Sequence, residues 1–247
     1  MEISQKEYKL ENKQLSFTVK SKKITGIYTN DKIKLLEITN FKRDIISNEQ
    51  KIAIIQEKMD SYIEKMKVYE AMYYEIRKKE ISLKDPSKKV KDSLKIVGLN
   101  YDYLNRDIRS LSSSETKQLS LALALLSNPN IIIITEPFIN YDKETEKKIW
   151  LLIQKMRDQY GKTFIFISND ENMLYKYTNH LIIIKNSKVL LEGNPLDIFK
   201  NNEYLKKNSI EIPEIIELTY LAKTKKNAKI DYHKDVRDII KDIYKHV

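Results

Sequence analysis

Residues 111–137, LSSSETKQLSLALALLSNPNIIIITEP, decide the architecture. Three serines, Ser112, Ser113 and Ser114, lead into a strongly helical run over residues 115–127. Asn128-Pro129-Asn130 ends that run, because proline cannot continue a helix and asparagine favours turns. Four consecutive isoleucines follow at residues 131–134. Such an unbroken apolar run fits a strand buried on both faces, as in a parallel sheet covered by helices. The strand opens directly into Thr135-Glu136-Pro137.

The flanking sequence repeats this alternation. Downstream, residues 143–160 read as a helix stopped by Gly161, and residues 163–167 (TFIFI) as a strand. Residues 171–178 form a short helix, and residues 181–184 and 188–191 a hairpin pair. Upstream, residues 15–19, 23–28 and 52–55 are strand candidates. From Ile55 to Ile76, apolar and tyrosine residues recur every three or four positions, predicting one or two amphipathic helices. KDPSKK at 84–89 is a polar turn, and residues 88–97 predict a helix closed by Gly98. Strands alternating with helices predict an α/β fold with a largely parallel sheet. Residues 196–247 carry no strand pattern and predict a polar helical extension.

Composition narrows the function. The 247 residues suffice for a large core without staples. No cysteine is present, which excludes disulfides and thiolate metal sites, and three scattered histidines argue against a His-rich centre. No apolar run approaches the roughly 20 residues that span a bilayer. The first residues, MEISQKEYKL, lack a signal-peptide apolar stretch, so a cytoplasmic location is expected. The net charge of +10 arises from lysines interleaved with 35 acidic residues, and nucleic acid is not the expected partner. Glycine is scarce, with only four in the chain. A glycine-rich phosphate loop needs several close together, and no such cluster exists.

Chemistry in a parallel sheet gathers at the carboxyl ends of strands. Glu136, just past the isoleucine strand, could orient water. Ser168-Asn169-Asp170 end the TFIFI strand. Ser112–Ser114 open a helix, where unpaired N–H groups and the dipole attract anions. Each also has an ordinary role: Glu136 could cap a helix, and Ser112 could cap one with Glu115 completing a capping box.

Taken together, their order and spacing resemble the ATP-binding cassette (ABC) ATPases, and most closely the ATPase subunits of energy-coupling factor transporters. Leu111-Ser112-Ser113-Ser114-Glu115 falls at the family's Leu-Ser-Gly-Gly-Gln signature. IIIITEP at 131–137 falls at the Walker B strand, Asn140-Tyr141-Asp142 at the D-loop, and Ser168-Asn169-Asp170 at the switch segment, with Asn169 in place of its histidine. Gln56 falls at the Q-loop glutamine, which the family uses toward Mg²⁺. Val68-Tyr69-Glu70, Glu192-Gly193-Asn194-Pro195 through Phe199, and Ile212-Pro213-Glu214-Ile215 resemble segments of the energy-coupling subfamily. The resemblance runs over essentially the whole chain. It implies an ABC-type, P-loop NTPase-like fold over residues 1–200, a helical subdomain near 57–127, and a C-terminal helical extension over 201–247.

The departures are as informative. The Walker A loop should follow residues 23–28, where Thr29-Asn30-Asp31-Lys32-Ile33-Lys34 stands instead. Lys32 aligns with the Walker lysine, Asn30 and Asp31 fall in the phosphate cradle, and every loop glycine is missing. Thr135 replaces the Walker B aspartate, Ser113 and Ser114 replace the signature glycines, and Glu115 replaces glutamine. Charge-assisted hydrogen bonds are each worth roughly 1.5–3 kcal/mol, so losing several removes about 4 kcal/mol or more. That is near a thousandfold in affinity.

The resemblance therefore implies a degenerate cassette subunit whose ATP and Mg²⁺ are held mainly by an intact partner ATPase. Ser112, Ser113, Ser114, Glu115 and Asp142 would complete that partner's site. Gln56 and the following helices would relay closure to a transmembrane component at the inner face of the membrane, and this chain would not touch the transported substrate. Two other readings stay open: an active ATPase in which Lys32 or Lys34 grips phosphate and Glu136 is the base, and a non-nucleotide adaptor that keeps only the fold.

Overall fold

The computed structural model describes residues 7–11, 16–29, 52–56, 58–78, 81, 84–139, 141–226 and 230–245. The first strands, β1 (Glu7–Glu11) and β2 (Ser16–Lys20), form an antiparallel hairpin. The main sheet has six strands. They are β3 (Ile24–Tyr28), β4 (Ile52–Ile55), β5 (Ile131–Thr135), β6 (Thr163–Ser168), β7 (His180–Lys185) and β8 (Lys188–Gly193). Their spatial order is β4-β5-β6-β3-β7-β8, and all neighbours run parallel except β7 and β8. This is the mixed, mainly parallel α/β layer that the strand–helix alternation predicts.

The isoleucine run shows why the sheet is double-faced. Ile132 and Ile134 of β5 enter the core shared with the helices. Ile131 and Ile133 point the other way, into a smaller core with Phe17 and Val19 of β2. All four are buried, because alternate side chains on a strand face opposite sides and here both sides are covered.

Helices α1 (Val68–Lys78), α2 (Pro86–Val97) and α3 (Ser113–Leu126) gather beyond β4. Local chemistry sets their ends. The Asp85 carboxylate accepts the Lys88 N–H, Pro86 occupies the first turn, and Gly98 closes α2 in the left-handed conformation at φ 80°. The stripe from Ile55 to Ile76 is helical only from Val68 onward, and residues 61–65 are turns. The periodicity there is real but serves turn packing: Ile63 is buried while Tyr62 lies at the surface. Helix α4 (Lys143–Tyr160) begins at a cap from Asp142 and ends at Gly161, φ 62°. Five more α-helices follow among the described residues: α5 (Glu171–Tyr177), α6 (Pro195–Phe199), α7 (Asn202–Lys207), α8 (Glu214–Lys226) and α9 (Val236–Lys245). Among the described residues, no helix is long and apolar enough to cross a membrane.

Gly26 sits in mid-strand for lack of room. A Cβ there would come 2.9 Å from Leu174 Cδ2 and from Thr178 Cγ2, and 3.2 Å from Leu181 Cδ1. Gly26→Val is expected to lower stability by about 1–3 kcal/mol, the usual cost of overfilling a packed core. Urea unfolding of the two proteins measures it; an unchanged midpoint would contradict this packing.

Candidate functional site

Parallel pairing brings four strand ends to one edge. Tyr28 pairs with Ser168, Thr135 with Ile167, and Ile55 with Ile134. Thr29, Gln56, Glu136 and Asn169 therefore stand side by side, where ligands of open α/β sheets bind. Thr135 is 9% exposed and Gln56 is exposed.

Ser168 knits these ends together. Its hydroxyl donates to Glu136 Oε2 at 2.6 Å and accepts the Asp170 N–H at 3.0 Å. Its carbonyl accepts the Thr29 N–H at 3.3 Å. The Glu136 N–H extends the β5–β6 ladder to the Ile167 carbonyl at 2.9 Å. Glu136 has φ 45°, a left-handed conformation that non-glycine residues seldom adopt. It turns the chain out of the sheet just ahead of Pro137. Asn169 is exposed, and the Asp170 carboxylate caps α5 through the Met173 N–H at 2.8 Å. Asn30, Asp31 and Lys32 lie outside the described residues.

The second group stands at the start of α3. Ser112, in extended conformation, makes the full capping box: its Oγ accepts the Glu115 N–H at 3.3 Å, and its own N–H donates to Glu115 Oε2 at 2.8 Å. The ordinary structural role open to these two residues is thus realised. The box does not use the Ser112 hydroxyl hydrogen, and Ser112 and Ser113 are exposed. Glu115 Oε1 accepts the Tyr103 hydroxyl hydrogen and lies 3.6 Å from Arg106 Nη1. The Tyr103 and Ser112 hydrogen bonds hold its carboxyl below the usual carboxylate range. Tyr141 donates its hydroxyl to the Ser113 carbonyl at 3.5 Å, tying the segment before α4 to the serine-led turn. Asp142, next along, caps α4 through the Thr145 N–H at 2.8 Å and the Thr145 hydroxyl at 3.0 Å. Those bonds lower its pKa as well.

The candidate residues therefore fall into two groups. Gln56, Thr135, Glu136 and Asn169 share the sheet edge, while Ser112–Glu115 and Asp142 share the surface around the start of α3. Sequence reasoning passed over three partners: Ser168 as the hydroxyl that holds Glu136, and Tyr103 and Arg106 as the groups that hold Glu115. Strand register, had it been known, would have revealed Ser168. Tyr103 lies in a short 3-10 helix, Tyr101–Asn105, and Arg106 just past it, a piece too short for periodicity to signal.

Among the described residues, the sheet-edge donors do not by themselves make a site for Mg²⁺. Hard cations take several oxygen ligands, usually with carboxylate charge. Thr135 offers a nearly buried neutral hydroxyl, Gln56 an amide, and the one carboxylate already takes the Ser168 hydroxyl. Among the described residues, no three acidic or histidine side chains gather to hold a metal ion.

The ABC transporter family model matches residues 13–139. The chain is 36% identical over 137 residues to a Pyrococcus furiosus protein named for an ABC transporter ATP-binding role, covering 56% of this chain and 49% of that protein. It is 26% identical over 134 residues to the energy-coupling factor transporter ATP-binding protein EcfA2 of Staphylococcus aureus, covering 54% and 47%. The chain thus spans about half the length of these curated relatives. The solved structure of CbiO1 from Clostridium perfringens, part of the ABC transporter complex CbiONQ, superposes with TM-score 0.63 at 19% identity. It covers 87% of this chain and 97% of that one. A dimeric bacterial ABC transporter cassette superposes with TM-score 0.57 at 19% identity, over 73% and 89%. The fold is that of the ABC ATPases, and the family match spans more than half of the sequence: the chain belongs to the ABC transporter family.

Proposed function

We propose that this chain is a degenerate cassette subunit of an energy-coupling-factor-type transporter that completes the ATP site of an intact partner ATPase. The observation that carries the reading is the exposed, capped start of α3, together with a sheet edge where β5 ends in the neutral Thr135. Ser112 presents an exposed hydroxyl at a helix N-terminus, and the Tyr141–Ser113 bond ties the segment leading into Asp142 to the same turn. At the sheet edge, Thr135 has replaced a carboxylate and the glycines of a phosphate loop are missing from residues 29–36. One half of a two-subunit site is weakened while the other remains formed.

In this reading residues 1–200 form the cassette, residues 57–127 its helical subdomain and residues 201–247 an appended extension. The partner holds ATP and Mg²⁺. Ser112, Ser113, Ser114 and Glu115 face its phosphates, Asp142 stands at the subunit junction, and Gln56 leads closure toward a transmembrane component. The assembly lies at the cytoplasmic face of the membrane.

A second reading is favoured by one observation, the Glu136 carboxylate held by Ser168 at the sheet edge, as a general base would be. It makes this chain an active ATPase with Lys32 or Lys34 on phosphate. One experiment separates the two. The chain is coexpressed with an intact energy-coupling factor ATPase, and ATP binding is measured with and without Mg²⁺, for the lone chain and for the complex. The expected result is a stable complex with a saturable ATP site and a lone chain that micromolar MgATP does not saturate. Saturation of the lone chain would favour the second reading, and failure to associate would end the first.

A further inference from the structure

Glu115 poses an electrostatic problem for the function proposed above, and the following inference rests on that reading. The start of a helix attracts anions through its unpaired N–H groups and its dipole. Here an anion of the chain's own already occupies that field. A free carboxylate at the third residue of α3 would repel the phosphates that Ser112 is meant to meet.

The surroundings of Glu115 answer the problem. One carboxylate oxygen takes the Ser112 N–H at 2.8 Å. The other takes the Tyr103 hydroxyl hydrogen and faces Arg106 Nη1 at 3.6 Å. Arg106 lies over the Tyr103 ring, 4.6 Å from its centroid, a stacking that fixes the guanidinium plane. The turn bearing both residues is itself anchored: the Arg106 N–H donates to the Tyr103 carbonyl at 3.0 Å, and the Arg106 carbonyl accepts the Val68 N–H from the start of α1 at 3.0 Å.

We infer that Tyr103 and Arg106 clamp the Glu115 carboxylate and offset its charge, so that the serine-led turn of α3 can face a partner-held triphosphate. Arg106 is then a positioning residue that acts through Glu115 and does not itself touch nucleotide. Arg106→Ala leaves an unbalanced negative charge beside the phosphates. A unit charge at near-surface dielectric, partly screened by salt, corresponds to about fivefold in KM for MgATP. The turnover of the assembled complex should stay within about twofold, since the charge acts on bound ground state and transition state alike. Glu115→Gln removes the charge that Arg106 offsets, so in that background Arg106→Ala should add no further change in KM.

The test is a double-mutant cycle in the complex with an intact ATPase, with MgATP as the probe. KM is expected to rise in Arg106→Ala, to be the same in Glu115→Gln with and without Arg106→Ala, and to be largely rescued by Arg106→Lys. A rise of equal size in both backgrounds would put Arg106 directly on the nucleotide and overturn the inference, as would an unchanged KM in Arg106→Ala. Two controls separate this failure from failure of the underlying reading. If Ser112→Arg leaves hydrolysis by the complex unchanged, that reading falls and the clamp loses its role with it. In the lone chain, an NMR titration of the Glu115 carboxyl reads the clamp without a partner. The carboxyl should titrate below the usual carboxylate range and move upward in Arg106→Ala; absence of that movement would also overturn the clamp.

Discussion

In a complex with an intact ATPase, Ser112→Arg in this chain is expected to slow ATP hydrolysis by about two to three orders of magnitude, the usual cost of losing a preorganised donor to developing negative charge. Glu136→Gln in the same chain should change the rate by less than about twofold, because a base needs a held phosphate to act on. The contrast follows from where the two residues stand. Ser112 is exposed at the start of a 14-residue helix, with its hydroxyl hydrogen unused by the capping box. Glu136 sits beside a neutral Thr135 and gives one carboxylate oxygen to Ser168. Arginine at residue 112 would remove the hydroxyl and fill the approach to the helix end. It would also remove the cap, at a cost of about 1 kcal/mol to the helix. Ser112→Gly separates the two effects, since glycine at the cap costs only a few tenths of a kcal/mol and carries no side-chain donor. It should melt close to the parent and still hydrolyse slowly. The rates come from steady-state phosphate release by the purified complex. A full rate in Ser112→Arg, or a lost rate in Glu136→Gln, would transfer catalysis to this chain's own sheet edge.

Much of this was legible before the structure, for definite reasons. The isoleucine strand could be read because both its faces are buried, leaving no polar alternation to confuse it. Helix α4 was legible at both ends because Asp142 and Gly161 are local signals, a cap and a left-handed stop, that need no tertiary context. The helical run read from Glu115 begins two residues earlier, at Ser113, as the capping box open to Ser112 and Glu115 requires. Strand β1 was missed although EYKLE alternates polar and apolar residues, because five residues are a short signal and its pairing with β2 is tertiary. The first part of the tyrosine-rich stripe misled because turns can bury residues at helical spacing. The site was legible in its motifs but not in its bonds. Ser168 is 32 positions from Glu136 and Tyr103 is 12 from Glu115, and such pairings exist only once strand order and turn geometry bring them together.

The largest expected loss of stability comes from Phe138, two residues past Glu136. Its ring, 9% exposed, meets Phe166 edge-on at 5.9 Å and lies 4.7 Å from Tyr177. Tyr177 stands 4.7 Å from Trp150 and donates its hydroxyl to Glu146, which also pairs with Lys176 at 2.9 Å. This aromatic stack links β6, α4 and α5 beneath the chain segment that leaves β5 in a left-handed turn. Phe138→Ala would leave a cavity where the rings converge, and replacing a buried phenylalanine in this way typically costs about 3–5 kcal/mol. Against a usual total stability of about 5–15 kcal/mol, that is a large share. The only tryptophan in the chain is Trp150, so its fluorescence during urea unfolding reports from within the stack. The midpoint should fall sharply in Phe138→Ala and by a smaller step in Phe138→Leu, which keeps apolar volume but not the ring contacts. The leucine variant keeps the comparison measurable should the alanine variant fail to fold. Equal midpoints for Phe138→Leu and the parent would mean that ring stacking adds nothing beyond volume. A loss below about 1 kcal/mol in Phe138→Ala, well under the usual cost, would mean that the hydrogen bonds of the turn after Glu136 hold it without the aromatic stack.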